Sequence, residues 1–219
     1  MALARELGGA GAFALGRPAL VADWPATERV PTLAWLPAAG LMVGGIAALV
    51  GRAADSLGPV PAALTSALVL AIAHGRPRRW DIRLVAALVS AAALAGMAPP
   101  ARTLALVVAP MLARWAAVVQ CYGGLPRPGA TGMALLAGRA RFREFGIASV
   151  TALGTTLILL DAVGLAIGVA CVLATLAIRV LAYRRAGGLG NAALEATIAV
   201  VETLTILLLS SIGSMLGPR

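Results

Sequence analysis

The chain has no lysine, one histidine, two cysteines, nine acidic residues and few aromatics (4%), and only 12% of its 219 residues are charged. Each shortage excludes something. With 60% hydrophobic residues and a mean hydropathy of +0.93, there is too little polar surface to cover a soluble globule of this size. One histidine, His74, beside Gly75 and far from either cysteine, excludes zinc chemistry. Cys121 and Cys171 have neither metal-ligand spacing nor the density of a disulfide scaffold, and read as small buried hydrophobes. No Gly-x-Ser-x-Gly elbow and no Walker-type loop is present.

What is present is arginine between apolar runs. All 18 basic residues are Arg, and the net charge is +9. The arginines sit in short connections, so a positive-inside bias accounts for them and nucleic-acid binding is not expected. Runs bounded by Arg, Gly and Pro predict seven membrane spans near 31–50, 60–74, 82–97, 103–122, 145–160, 162–182 and 192–215. The second, third and fifth are short against the ~20 residues needed to cross. An N-terminal segment, 1–30, with a retained helix over 3–15, is expected at the cytoplasmic interface, and 31–219 as one all-α bundle. One side collects Arg5, Arg17 and Arg29, then Arg76, Arg78, Arg79 and Arg83, then Arg127, Arg139, Arg141 and Arg143, then Arg184 and Arg185. The other holds Arg52, Arg102 and Arg219 with Asp55 and Asp161. This asymmetry predicts a multi-pass protein of a bacterial-type inner membrane, N-terminus cytoplasmic and C-terminus outside.

Charges far inside a span are costly in lipid and normally face a partner or a cavity. Arg114, Glu195 and Glu202 are the three read in this way. Seven residues at 100° each leave Glu202 about 20° from Glu195, with Asn191 one turn earlier on the same stripe. Arg114 and Glu202 both fall near mid-span and are expected to pair. The seam either fixes helix register or lines a polar cavity opening to the cytoplasm under the turn Gly187-Gly188-Leu189-Gly190-Asn191, whose backbone could approach a phosphate. A second loop, 123–132, offers proline turns, backbone amides and Arg127, either for an anionic ligand or as an ordinary turn. Gly40 with Gly44, and Gly164 with Gly168, have the spacing of close helix contacts, most simply within the chain.

The order of landmarks resembles the cobalamin synthase family, the adenosylcobinamide-GDP ribazoletransferases. Phe13-Ala-Leu-Gly-Arg17-Pro18 and Trp35-Leu-Pro37-Ala-Ala-Gly40-Leu-Met-Val-Gly44-Gly45 look like its opening. Ala109-Pro110 through Arg114-Trp115, then Tyr122 and Pro126-Arg127-Pro128-Gly129 with Gly132, resemble its Gly-Arg-Trp helix and Arg-Pro-x-Gly loop. Arg184-Arg185-Ala-Gly187-Gly188-Leu189-Gly190-Asn191, followed by Glu202, resembles its glycine turn and Glu-rich helix.

The resemblance implies joining of a lower-ligand nucleoside to GDP-activated cobinamide with release of GMP, assisted by Mg²⁺ on an acidic segment after the second span. Here that place reads Ala73-His74-Gly75-Arg76-Pro77-Arg78-Arg79-Trp80-Asp81, and Asn191 stands where an aspartate is expected. Arginines cannot supply the hard anionic oxygens Mg²⁺ needs. The expectation is a catalytically degenerate member retained as a structural or binding subunit of a membrane assembly. The alternatives are an active ribazoletransferase using Mg²⁺, or a small proton or solute transporter. For an active enzyme the candidate catalytic residues are Glu195 and Glu202. The candidate substrate- and phosphate-binding residues are Arg114, Arg127, Gly187, Gly188, Gly190 and Asn191, and no residue is assigned to a metal. Expected partners are the lipid bilayer, subunits of a membrane complex and a corrinoid substrate.

Overall fold

The computed structural model describes residues 2–15, 17, 23–73 and 82–215. The stretch from His74 to Asp81, where the acidic segment is expected, lies outside the described residues, as does Arg219. Among the described residues the chain is all-α: α1 (Ala2–Ala14), α2 (Ala26–Arg29), α3 (Leu36–Ala54), α4 (Pro59–Ala73), α5 (Ile82–Ala95), α6 (Pro99–Cys121), α7 (Phe142–Ala186) and α8 (Asn191–Met215). Short 3₁₀ turns occupy Val30–Trp35, Asp55–Leu57 and Gly132–Leu136.

Helices therefore occur at the positions expected of the seven spans. Those over 27–57, Pro99–Cys121, Phe142–Ala186 and Asn191–Ile212 are long and apolar enough to cross a membrane, while α4 and α5 are shorter apolar helices. Proline opens α3, α4 and α6, where its fixed φ suits a first turn and its missing N–H costs nothing. Gly187, at φ 67, ends α7 in the left-handed region that favours glycine.

The continuous run of α7 is two helices folded against each other at Asp161 (φ 49, ψ −140). An atom at the Cβ position of Gly164 would lie 2.6 Å from the Thr156 carbonyl oxygen, and one on Gly168 would lie 3.0 Å from Leu153 Cδ2. Such contacts cannot form along one straight helix, where these residues would be about 12 and 22 Å apart. The break expected between the fifth and sixth spans is thus a tight reversal with no intervening loop.

α6 is the axis of the bundle. Its apolar stretch is 89% buried, against 22% for α7. α3 runs antiparallel to α6 and approaches it through glycine. A Cβ on Gly40 would stand 2.5 Å from the Pro110 carbonyl oxygen, and one on Gly44 would collide with that of Leu106. Pro110 has no N–H to bond the Leu106 carbonyl one turn back, and Gly44 packs directly over that oxygen. α8 flanks the other side of α6, and α4 and α5 bridge from α3 to α8.

At one end of the bundle Arg102, buried, donates to Asp55 at 2.7 Å and to the carbonyls of Leu94 and Met97, fastening the ends of α3 and α5 to the start of α6. α6 begins earlier than the expected fourth span, so Arg102 is a buried helix residue and not a loop charge. The opposite end carries the connections 122–141 and 187–190 and the start of α3. Both cysteines are free and buried.

Candidate functional site

The expected pair across the bundle is present. Arg114 Nη1 donates to Glu202 Oε2 at 3.1 Å, with the two side chains 2% and 7% exposed. Arg114 Nη1 also reaches the Pro110 carbonyl at 3.4 Å, and Nη2 donates to the Ala14 carbonyl at 3.1 Å. Ala14 ends α1, whose last turn is buried through Ala12, Phe13 and Ala14, so the N-terminal helix is tied to the centre of the bundle. Further back, Trp35 Nε1 donates to Glu6 Oε2 at 2.9 Å.

The stripe of Asn191, Glu195 and Glu202 divides into three environments. Glu202 is buried against Arg114, Glu195 is exposed, and Asn191 is engaged by the neighbouring loop. Asn191 Oδ1 accepts from the Ala134 N–H at 3.2 Å, and its Nδ2 donates to Thr131 Oγ1 at 3.1 Å. Asn191 and Glu202 are about 16 Å apart along α8, so the glycine turn is no roof over the Arg114–Glu202 pair. The Arg114–Glu202 pair and the glycine turn are two separate regions of the structure.

The second region is the loop face. Pro126 and Leu189 form a parallel bridge, in which the Leu189 N–H donates to the Leu125 carbonyl at 2.8 Å and the Arg127 N–H to the Leu189 carbonyl at 3.0 Å. Glycine permits this approach: a Cβ on Gly188 would lie 2.8 Å from Arg127 N, and one on Gly190 would lie 2.9 Å from Arg127 Nε. Arg127 itself is exposed, its guanidinium lying along the backbone of Gly190. The structure thus joins Arg127, Gly188, Gly190 and Asn191 in one face, with Gly187 at its edge, and places Arg114 and Glu202 elsewhere.

Sequence reasoning missed Arg179 and Gln120. Arg179 Nε donates to Gln120 Oε1 at 3.0 Å, and Nη2 donates to the carbonyls of Val119, Gln120 and Tyr122, closing the last turn of α6. A cation at a helix C-terminus meets both unpaired carbonyls and the negative end of the dipole. Gln120 Nε2 in turn donates to the Thr175 carbonyl at 2.9 Å and to Thr197 Oγ1 at 3.0 Å, linking α6, α7 and α8. The available signal was an arginine two turns inside an apolar helix end.

Trp115 donates to Ser149 Oγ at 3.0 Å, and Tyr122 stacks on Phe145 with ring centroids 4.5 Å apart. Both hold the first half of α7 to α6.

The described residues do not fit a divalent-metal centre. No group of three His, Cys, Asp or Glu side chains converges among them. Glu202 is bound to Arg114, Asp55 to Arg102, and Glu144 accepts the Arg141 N–H at 2.9 Å.

Four helices long and apolar enough to cross a membrane, with shorter apolar helices packed among them, make this a multi-pass helical membrane protein. The chain matches the family described as cobalamin-5-phosphate synthase over residues 82–210, and it belongs to that family. The match covers α5 through most of α8 and begins just after the arginine-rich stretch 73–81. No curated protein and no solved structure matches the chain.

Proposed function

We propose that this chain is a cobalamin synthase-family membrane protein that keeps an anion-recognising loop face and has lost metal-dependent transfer. It serves as a binding or structural subunit of an assembly in a bacterial-type inner membrane, with its N-terminus cytoplasmic. The observation that carries the reading is the state of Glu202. The family-like carboxylate deepest in the bundle is closed off in a salt bridge to Arg114. The stretch 73–81 supports it, holding three arginines and a single aspartate where the resemblance calls for several carboxylates. Arginine offers donors to phosphate and no oxygen to Mg²⁺.

On this reading Arg127, exposed beside the N–H-bearing backbone of Gly188 and Gly190, receives the phosphate of a GDP-activated corrinoid. Titrating the lipid-reconstituted protein with adenosylcobinamide-GDP tests the binding half. Saturable, Mg²⁺-independent binding, weakened roughly tenfold or more in Arg127→Ala, is expected. Absence of binding to a folded sample would remove the corrinoid from the proposal. Partner proteins retained at fixed stoichiometry through native purification would support the subunit role.

Retained transfer is the second reading. It is favoured by the exposure of Glu195, one turn from Asn191 at the glycine-turn end of α8.

A further inference from the structure

Beside the loop face lies a cleft of about 580 Å³ that neither the bundle pair nor the glycine turn uses. One wall is the segment before α3, with Thr27, Val30 and Pro31. The other is the start of α7, with Arg139, Arg141 and Arg143. All three arginines are exposed, and no carboxylate of the described residues is within ion-pair distance of them. Glu144 also lines the cleft, but it is buried and accepts the backbone N–H of Arg141, so it caps the helix. Counting its charge, the cleft still carries an excess of two positive charges.

Position favours one occupant. Phe142 lies between two of the arginines in sequence and is 75% exposed, as is Val150, and Leu157 is 44% exposed. At 100° per residue these three fall within an arc of about 80°, so an apolar strip climbs α7 directly from the basic cleft. A free phosphate needs only the charges. A phospholipid needs both the charges and the strip, because its phosphate docks at the interface while its acyl chains lie along the helix. The geometry points to the cleft at Arg139, Arg141 and Arg143 as a binding site for the phosphate headgroup of an anionic phospholipid.

The test uses the full chain in neutral detergent, titrated with phosphatidylglycerol, phosphatidylcholine or inorganic phosphate, with bound lipid counted by native mass spectrometry. Phosphatidylglycerol is expected to be preferred, and the doubly substituted R141Q/R143Q to bind it roughly 30-fold more weakly, the effect of two interfacial charges. The variant R184Q/R185Q, which removes the same charge from exposed arginines near the end of α7, is expected to keep the preference. R141K/R143K keeps both charges and guards against misfolding of the glutamine variant, since it too should retain the lipid. The proposal is overturned if phosphatidylcholine binds equally well, if both double glutamine variants lose lipid alike, or if inorganic phosphate displaces the lipid at comparable concentration.

Discussion

Arg114 and Arg127 come from the two ends of one stretch of sequence and meet opposite surroundings. Arg114 is closed in the bundle, 2% exposed, and shares its donors among Glu202, Pro110 and Ala14. Arg127 is exposed on a face built from backbone, with its guanidinium laid along Gly190. The interior arginine spends its charge on cohesion, because an ion pair removed from water or lipid must satisfy itself. The loop arginine is left with donors that an incoming anion could take. Depth in the bundle, which first draws attention to a charge, here goes with a closed set of partners.

The sharpest way to break this comparison is Glu202→Ala, which leaves the buried Arg114 guanidinium without its carboxylate. A loss of about 3–5 kcal/mol is expected, seen as a lower unfolding temperature or poor recovery from membranes, and R114L/E202L should regain most of it. A double variant as unstable as the single one would mean that the Ala14 and Pro110 contacts dominate. Next in size is Gly44→Val, whose side chain would meet the Leu106 carbonyl and part α3 from α6. This is expected to cost about 1–3 kcal/mol or more by overpacking, while Gly45→Ala, with nothing within 4 Å, should be silent. Asp161→Gly acts in the other direction. It relieves a non-glycine residue at positive φ, and a gain of up to about 1 kcal/mol in thermal unfolding is expected. Smallest is Arg127→Ala, with a stability change within about 0.5 kcal/mol even as corrinoid binding falls.

The interior was the more legible of the two regions. Apolar runs closed by Arg, Gly and Pro mark the helices, and a fixed rise per residue places Arg114 and Glu202 at matching depths before any contact is known. The same rule places Asn191 and Glu195 on one stripe of α8 and says nothing of what surrounds them. Helical phase puts them on the stripe of Glu202, but the loop 131–134 claims Asn191 at the helix start, and Glu195 is exposed. Contacts between loops some sixty residues apart leave no periodic trace in a sequence. Arg179 draws no attention in the sequence, and Arg102 reads there as a loop charge, because charges near helix ends ordinarily reach back to the interface. Here they bond carbonyls at helix ends instead. The sequence reads Gly188 and Gly190 as backbone that could approach a phosphate, and the structure adds a steric use, admitting the Arg127 backbone and side chain at distances no Cβ would allow.

Lost metal-dependent transfer is the central claim, and cobamide formation tests it most directly. The lipid-reconstituted protein would be given adenosylcobinamide-GDP, α-ribazole and Mg²⁺ beside an active family member with an intact acidic segment. The account predicts no product from the folded protein while the control turns over; Mg²⁺-dependent product would contradict it and return Glu195 and Glu202 to the chemistry.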